Sequence, residues 1–237
     1  MWWFLTLFML YAQARDCDRV SISMAAAERG PSILVLGERR ATQPDLFRAH
    51  RLVATLSRTR NVTLALEAVD HSRQEALSRL GQQIASTQAI EQALAWNEYS
   101  PFSVVPYGPL LRSAKKGVQL VAIGVDRSPR PRGQNLPIPP SYFFSIEPSL
   151  SEAHMPVALE PSFVEAMAWR DHRLAKNALA GWDGKGTLVV LVDRFHVEGG
   201  KGVSWQLQRM TDVPVRVLLL SDGGAKCQAG ESLLTLL

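Results

Sequence analysis

Ile33-Leu34-Val35-Leu36-Gly37-Glu38, then Thr42-Gln43-Pro44-Asp45, then Val62-Thr63-Leu64-Ala65-Leu66-Glu67 read in turn as a strand, a helix start and a second strand. The two apolar runs are short and show no polar alternation, which is the pattern of strands buried on both faces of a parallel sheet. Between them Thr42 offers an N-cap hydroxyl, Pro44 suits the first helical turn, and Asp45 is an acid three residues after the threonine. Leu46, Ala49, Val53 and Leu56 then recur at helical spacing with Arg48, Arg51 and Arg58 between them, and Asn61 ends the segment. This is a βαβ unit, and it sets the expectation of an α/β fold whose central, mostly parallel sheet is flanked by helices.

Working outward, His71 to Trp96 is rich in Gln, Ala, Leu and Arg and reads as one or two helices laid over the sheet. Tyr99-Ser100-Pro101 breaks that run, and Pro106-Tyr107-Gly108-Pro109 opens another helix that continues through Leu110, Leu111 and Ala114. Strands are expected at Val118 to Gly124, Leu188 to Val192 and Val213 to Leu220, and helices at Phe163 to Ala180 and Val203 to Met210. The stretch from 126 to 161 is dense in proline, with Pro129, Pro131, Pro137, Pro139, Pro140 and Pro148 among them. It reads either as an excursion bordering a ligand crevice or as a mobile surface loop.

A chain of 237 residues, 46% of them hydrophobic, can bury one sizeable core, and one domain over residues 15–237 is expected. The formal net charge is only +4, and the Lys and Arg residues are scattered with no basic helix or aromatic-interleaved stripe, so no nucleic-acid partner is expected. Residues 1–14 form a short apolar run ending in Ala12-Gln13-Ala14, which reads as a secretory signal peptide cleaved after Ala14. No Lys or Arg precedes the run, so either the charged n-region is missing or the start lies upstream. The run falls short of the roughly 20 apolar residues a membrane span needs. The expected location is therefore the periplasm or the outside of the cell, at the envelope. Of the two cysteines, Cys17 follows the cleavage site and Cys227 lies near the C-terminus; whether they close a disulfide between the chain ends stays open. Arg15 and Asp16 put two charges just before Cys17, which disfavours a lipoprotein.

Three strand-like runs end on groups able to hold a metal, a proton or a cofactor: Glu38, Glu67, and His196 in Asp193-Arg194-Phe195-His196. Ligands of open parallel sheets sit beyond the carboxyl ends of the strands, so these three groups converge if their strands lie together. Glu38 alone also reads as a helix cap or a partner of Arg39 or Arg40. Two nearby carboxylates push one pKa upward, which suits acid/base or metal work. His196 precedes Gly199-Gly200-Lys201-Gly202, a turn that lets backbone approach a ligand closely, though a lone histidine is as often structural. His50, His71, His154 and His172 show no metal-ligand spacing and read as unremarkable. No Gly-x-Ser-x-Gly elbow, Walker loop or Cys-x-x-Cys pair is present.

Taken together, Gly37-Glu38, Leu64-Ala65-Leu66-Glu67, the segment Trp96 to Pro109, Ala168-Trp169-Arg170-Asp171-His172-Arg173-Leu174-Ala175, and Phe195-His196-Val197 with its glycines resemble the ChaN-like haem-binding uptake family of the Tiki and erythromycin-esterase-like superfamily. The resemblance spans about Ser32 to Leu220. It implies a haem-binding envelope protein in haem or iron uptake, binding haem as a homodimer. By position it assigns Glu38, Glu67 and His196 to the family's two acids and late histidine, and Tyr107 to its Tyr-x-Pro segment. Tyrosinate and histidine both ligate haem iron, which makes Tyr107 and His196 the candidate axial ligands. Where the family has Gly-Glu-x-His this chain has Gly37-Glu38-Arg39-Arg40, so Arg40 stands in place of a histidine and is suited to pair with a haem propionate. Two alternatives remain: a hydrolase assisted by a divalent metal, with Glu38, Glu67 and His196 as its catalytic groups, and a catalytically decayed envelope interaction protein. Binding is favoured over enzymatic turnover.

Overall fold

The computed structural model describes residues 15–27, 30–39, 41–82, 86–125, 136, 138, 161–220, 226–227 and 231–235. Residues 1–14, Arg40, His154 and nearly all of the proline-rich excursion lie outside them. The strands are β1 (Arg15–Asp16), β2 (Asp18–Ser21), β3 (Ser32–Glu38), β4 (Val62–Asp70), β5 (Gln119–Gly124), β6 (Thr187–Asp193), β7 (Val215–Leu220), β8 (Lys226–Cys227) and β9 (Glu231–Thr235). The helices are α1 (Ile22–Ala26), α2 (Gln43–Leu56), α3 (Gln74–Gln82), α4 (Thr87–Leu94), α5 (Trp96–Tyr99), α6 (Gly108–Leu111), α7 (Pro161–Ala180) and α8 (Val203–Met210).

Seven strands form one wholly parallel sheet in the order β2-β9-β7-β3-β6-β4-β5. Both faces are covered, which is why β3 is buried at every position and reads as a continuous apolar run. Alternation along the strands sorts the side chains into two cores. Leu34, Leu36, Leu64, Leu66, Val189 and Leu191 pack with α2 and the α3–α6 segment on one face. Ile33, Val35, Ala65, Leu188, Val190 and Val192 pack with α7 and α8 on the other. Leu46, Leu52 and Leu56 of α2 are fully buried, each contributing on the order of 1.5–3 kcal/mol of transfer free energy.

Three features depart from the sequence reading. The Thr42 hydroxyl makes no capping bond. The start of α2 is instead held by Asp45, which takes the Arg39 N–H at 3.0 Å and the Arg39 and Arg48 guanidinium groups. β3 and β4 are not neighbours: β6 lies between them, paired in register Glu38 to Asp193 on one side and Leu66 to Leu191 on the other. Finally, β4 does not stop at Leu66. It runs on to Asp70 through an irregularity in its pairing with β5, and bulges of this kind re-aim side chains. A side chain at Gly124 would meet the Glu67 and Val69 carbonyls at 2.5 and 2.6 Å, so that bulge requires glycine on the facing strand.

The chain ends meet. β1 pairs antiparallel with β8, β2 joins the sheet edge beside β9, and Cys17 and Cys227 form a disulfide.

Candidate functional site

The carboxyl ends of β3, β6 and β4 lie side by side, and this brings Glu38, Glu67 and His196 onto one rim. Each is placed by its local chain. Glu38 is the last residue of β3, is 4% exposed, and accepts the Ala41 N–H on Oε2 at 2.5 Å and the Tyr107 hydroxyl on Oε1 at 3.0 Å. Tyr107 is buried against Trp96, their ring centroids 5.0 Å apart. Glu67 stands where β4 leaves its register. His196 closes a 3-10 turn that begins when the Asp193 carboxylate accepts the Phe195 N–H at 2.9 Å.

His196 is held between two acids. Its Nδ1 lies 2.6 Å from Asp171 Oδ1 and its Nε2 lies 3.2 Å from Glu67 Oε1. Glu67 Oε1 also accepts from Arg170 Nη2 at 3.2 Å, and Oε2 accepts the Asp193 N–H at 2.8 Å. Carboxylates on both ring nitrogens select the doubly protonated imidazolium. The glycines after His196 serve this arrangement: a Cβ at Gly202 would strike the His196 carbonyl oxygen and approach Asp171 Oδ2 to 3.3 Å. The Gly199-Gly200-Lys201-Gly202 cluster thus wraps the chain around the histidine.

The two glutamates titrate in opposite directions. Burial pushes the Glu38 carboxyl up from 4.5 to about 7, against its bonds from Ala41 and Tyr107 and with help from the charges of Asp193 and Glu67. For Glu67 burial acts the same way, but the His196 charge and hydrogen bond, Arg170 and the Asp193 N–H outweigh it and hold the carboxyl at about 2. Burial alone would lower His196; Glu67 and Asp171 instead raise it to about 10. Burial, and then the charge of Glu38, drive the Tyr107 hydroxyl well above the ordinary tyrosine range.

The structure therefore splits the candidates into two groups. Glu67 and His196 belong to a closed ionic network with Asp171 and Arg170; Glu38 and Tyr107 form a separate neutral-leaning pair. Arg40 is outside the described residues. Asp171 and Arg170 were quoted in the sequence but given no role. The legible signal was an acid at a fully buried position on the same helical stripe as Leu174, Ala175 and Ala178. Tyr107 and His196, as folded, have their ligating atoms committed to protein partners, so iron ligation by either requires breaking one of these bonds. Among the described residues no group of three or more His, Cys, Asp or Glu is arranged to hold a metal ion.

The chain belongs to the ChaN family of haem-binding uptake proteins in the Tiki superfamily, whose family model matches residues 24–207. Among solved structures it is similar to ChaN of Campylobacter jejuni, determined with cofacial heme binding: 15% identity, 82% of this chain and 83% of that one covered, TM-score 0.64. It is also similar to the type III effector HopBA1, at 13% identity over 90% and 91% of the two chains with TM-score 0.49. A structure of bacterial protein toxins matches at 13% identity over 86% of this chain and 37% of that one, with TM-score 0.50. No curated protein matches the sequence.

Proposed function

We propose that this protein binds haem at the carboxyl-end rim of its sheet and serves haem or iron uptake as a periplasmic or secreted envelope protein, with residues 1–14 as its signal peptide. The observation that carries the reading is the family match across most of the chain, residues 24–207. The solved relative from Campylobacter jejuni binds heme cofacially, and a homodimer of this chain enclosing haem between rims is the corresponding arrangement. The disulfide between Cys17 and Cys227 agrees with export, because such bonds persist in oxidising compartments.

Haem supplies iron with axial positions open to protein donors. The rim's own contribution is polar and partly neutral. Glu38 gains or loses its proton near neutral pH beside the Tyr107 hydroxyl, which stays protonated, while Glu67, His196, Asp171 and Arg170 keep the surrounding chain fixed. Titration of the purified protein with ferric haem, followed in the Soret region, tests the reading; a saturable shift supports it, and an unperturbed free-haem spectrum sinks it. Gel filtration of the same samples reads out the dimer.

One observation favours a second reading. A buried carboxyl poised near pH 7 is what a general acid or base needs, and Glu38 is such a group. The hydrolase alternative therefore rests on Glu38. It predicts ester or peptide turnover that Glu38→Gln abolishes.

A further inference from the structure

Among the described residues four large apolar side chains are exposed, and three of them, Met24 at 62%, Phe47 at 49% and Val105 at 62%, stand on neighbouring elements. Met24 is on α1, Phe47 on α2 and Val105 in the 3-10 turn Val105–Tyr107, and α2 packs against both α1 and that turn. All three elements cover the same face of the sheet, since Ile22, Leu46, Val104 and Tyr107 share one core. Apolar side chains exposed singly need no explanation, but a group gathered on one layer marks a contact surface.

The same layer carries positive charge that its own residues do not balance. Arg51 follows Phe47 by one turn of α2, and Arg112, Lys115 and Lys116 belong to the 3-10 stretch Arg112–Lys116. All four are exposed, and among the described residues none of them makes an ion pair. They lie close together. After burial, the charges of Lys116, Arg112 and Arg51 are what lower the pKa of His50 on α2. The Arg112 guanidinium also lies so near Gly108, beside the Val105 turn, that a Cβ there would come within 2.9 Å of it. Pro101 to Val125 contains no Asp or Glu, and the one acid of α2, Asp45, is fully buried and held by Arg39 and Arg48. Glu75, on the α3 helix that packs against the Arg112–Lys116 stretch, is engaged by Arg79 at 3.5 Å.

We infer that this face, with Phe47 and Val105 at its centre and Arg51, Arg112, Lys115 and Lys116 around them, docks on the surface of an anionic lipid bilayer. Exposed apolar side chains enter the interfacial layer while Lys and Arg attract acidic headgroups, and the two contributions together give a reversible peripheral association. A bilayer suits the face better than an acidic protein does, because the apolar side chains stand on three separate elements, and a fluid interface accommodates them without a complementary pocket. The placement also serves the rim. Val105 shares its turn with Tyr107, whose hydroxyl bonds Glu38, so the docked face holds the carboxyl end of the sheet beside the bilayer, where a flat apolar ligand partitions. The lipid contact does not depend on haem being that ligand.

The test is co-sedimentation, without haem, of the mature chain from Arg15, which holds every described strand and helix, with vesicles of phosphatidylcholine alone and of phosphatidylcholine mixed with phosphatidylglycerol. Starting at Arg15 keeps the apolar residues 1–14 out of the measurement. Binding is expected to the anionic vesicles only and should fall as salt is raised. Each Lys or Arg near an anionic surface is worth roughly fivefold in partitioning, so Lys115→Gln with Lys116→Gln should bind about 25-fold more weakly. Phe47→Ser should lose about tenfold with its salt dependence unchanged, because it removes apolar contact and no charge. Lys176→Gln with Lys185→Gln removes the same charge from exposed positions on α7 and in the loop after it, and should bind as the wild type does. Thermal melts verify that each variant is folded. Equal binding to both kinds of vesicle, no binding to either, or equal losses from the two lysine pairs would each overturn the inference. So would release of the protein by soluble polyglutamate together with an unaffected Phe47→Ser, which would assign the face to an acidic chain instead.

Discussion

Asp171→Asn tests the buried ionic network at its least exposed member. Asp171 is completely buried, and its carboxylate holds His196 Nδ1 at 2.6 Å. Asparagine keeps an oxygen in reach but removes one of the two charges that balance the imidazolium. Hydrogen bonds to charged groups contribute about 1.5–3 kcal/mol, and stripping a partner from a buried ion costs about 3–5 kcal/mol when nothing replaces it. The retained amide oxygen places the expected loss at about 2–3 kcal/mol, which for a chain of this size is a drop in Tm of roughly 5–10 °C. The loss depends on pH with a definite sign. The folded pKa of His196 is raised from 6.5 to about 10, so the stability it contributes is whole below about 6.5 and disappears as pH rises through 10. The folded pKa of Glu67 is lowered from 4.5 to about 2, so its contribution is whole above about 4.5 and disappears as pH falls through 2. Both are complete only between about pH 4.5 and 6.5. Urea unfolding of wild type and variant at pH 6 and pH 10, with an NMR titration of the His196 ring, measures the effect. Equal stabilities at pH 6, a deficit that persists undiminished at pH 10, or a wild-type ring titrating near 6.5 would each refute the reasoning.

Glu38 has the opposite sign: its folded pKa is raised from 4.5 to about 7, so its protonated form stabilises the fold below about 4.5 and that stability is lost as pH rises through 7. Glu38→Gln, which can accept from Ala41 and donate to the Tyr107 oxygen, should be about 2–3 kcal/mol more stable than wild type at pH 8 and no more stable at pH 4; an advantage equal at both pH values counts against it. The Cys17–Cys227 bond closes a loop with a sequence separation of 210, and removing it by reduction or by Cys17→Ser with Cys227→Ser should cost about 2–5 kcal/mol, visible as a lower urea midpoint. An unchanged midpoint would mean that the β1–β8 and β2–β9 pairings hold the ends together unaided.

What the sequence revealed and what it hid follow from the range of the forces involved. Strand runs such as Ile33 to Leu36 and the stripe Leu46, Ala49, Val53, Leu56 were legible because burial imposes a short-range period on the residues themselves. The order of strands was not, because nothing in Val62 to Leu66 records that β6, more than a hundred residues later, inserts between it and β3. The edge pair β2 and β9 escaped notice for the same reason, and Asp18-Arg19-Val20-Ser21 is too short and polar to resemble a strand. At the site, Glu38, Glu67 and His196 were legible as strand ends. Their division into an ionic network and a neutral pair depends on Asp171 and Arg170, which arrive from α7. His71 looked unremarkable because its distinguishing feature is a bond to the Ala122 backbone, and no side-chain pattern encodes it.

The ionic network and a cleft lined by Asp70, His71 and Ser72 beyond β4 and by Trp169 and Arg173 of α7 share the same two elements, which gives the network a consequence beyond stability. Glu67 lies near the outgoing end of β4 and His71 opens the 3-10 turn that follows it, four residues on across the bulge. Arg170, Asp171 and Arg173 lie within one turn of α7. The bonds from Arg170 to Glu67 and from Asp171 to His196 therefore tie the helix that carries Trp169 and Arg173 to the strand that leads to His71, fixing the spacing of the cleft's two walls. Ligand affinity is sensitive to such spacing, because a site left loose by its supporting shell must be ordered at the expense of binding. If haem binds at this end of the sheet, Asp171→Asn at pH 6 should weaken binding in a ferric-haem titration. His71→Ala should leave unfolding stability within about 0.5 kcal/mol of wild type, as expected for an exposed side chain. An Asp171→Asn protein that is destabilised yet binds with full wild-type affinity would show that the network and the cleft are energetically independent.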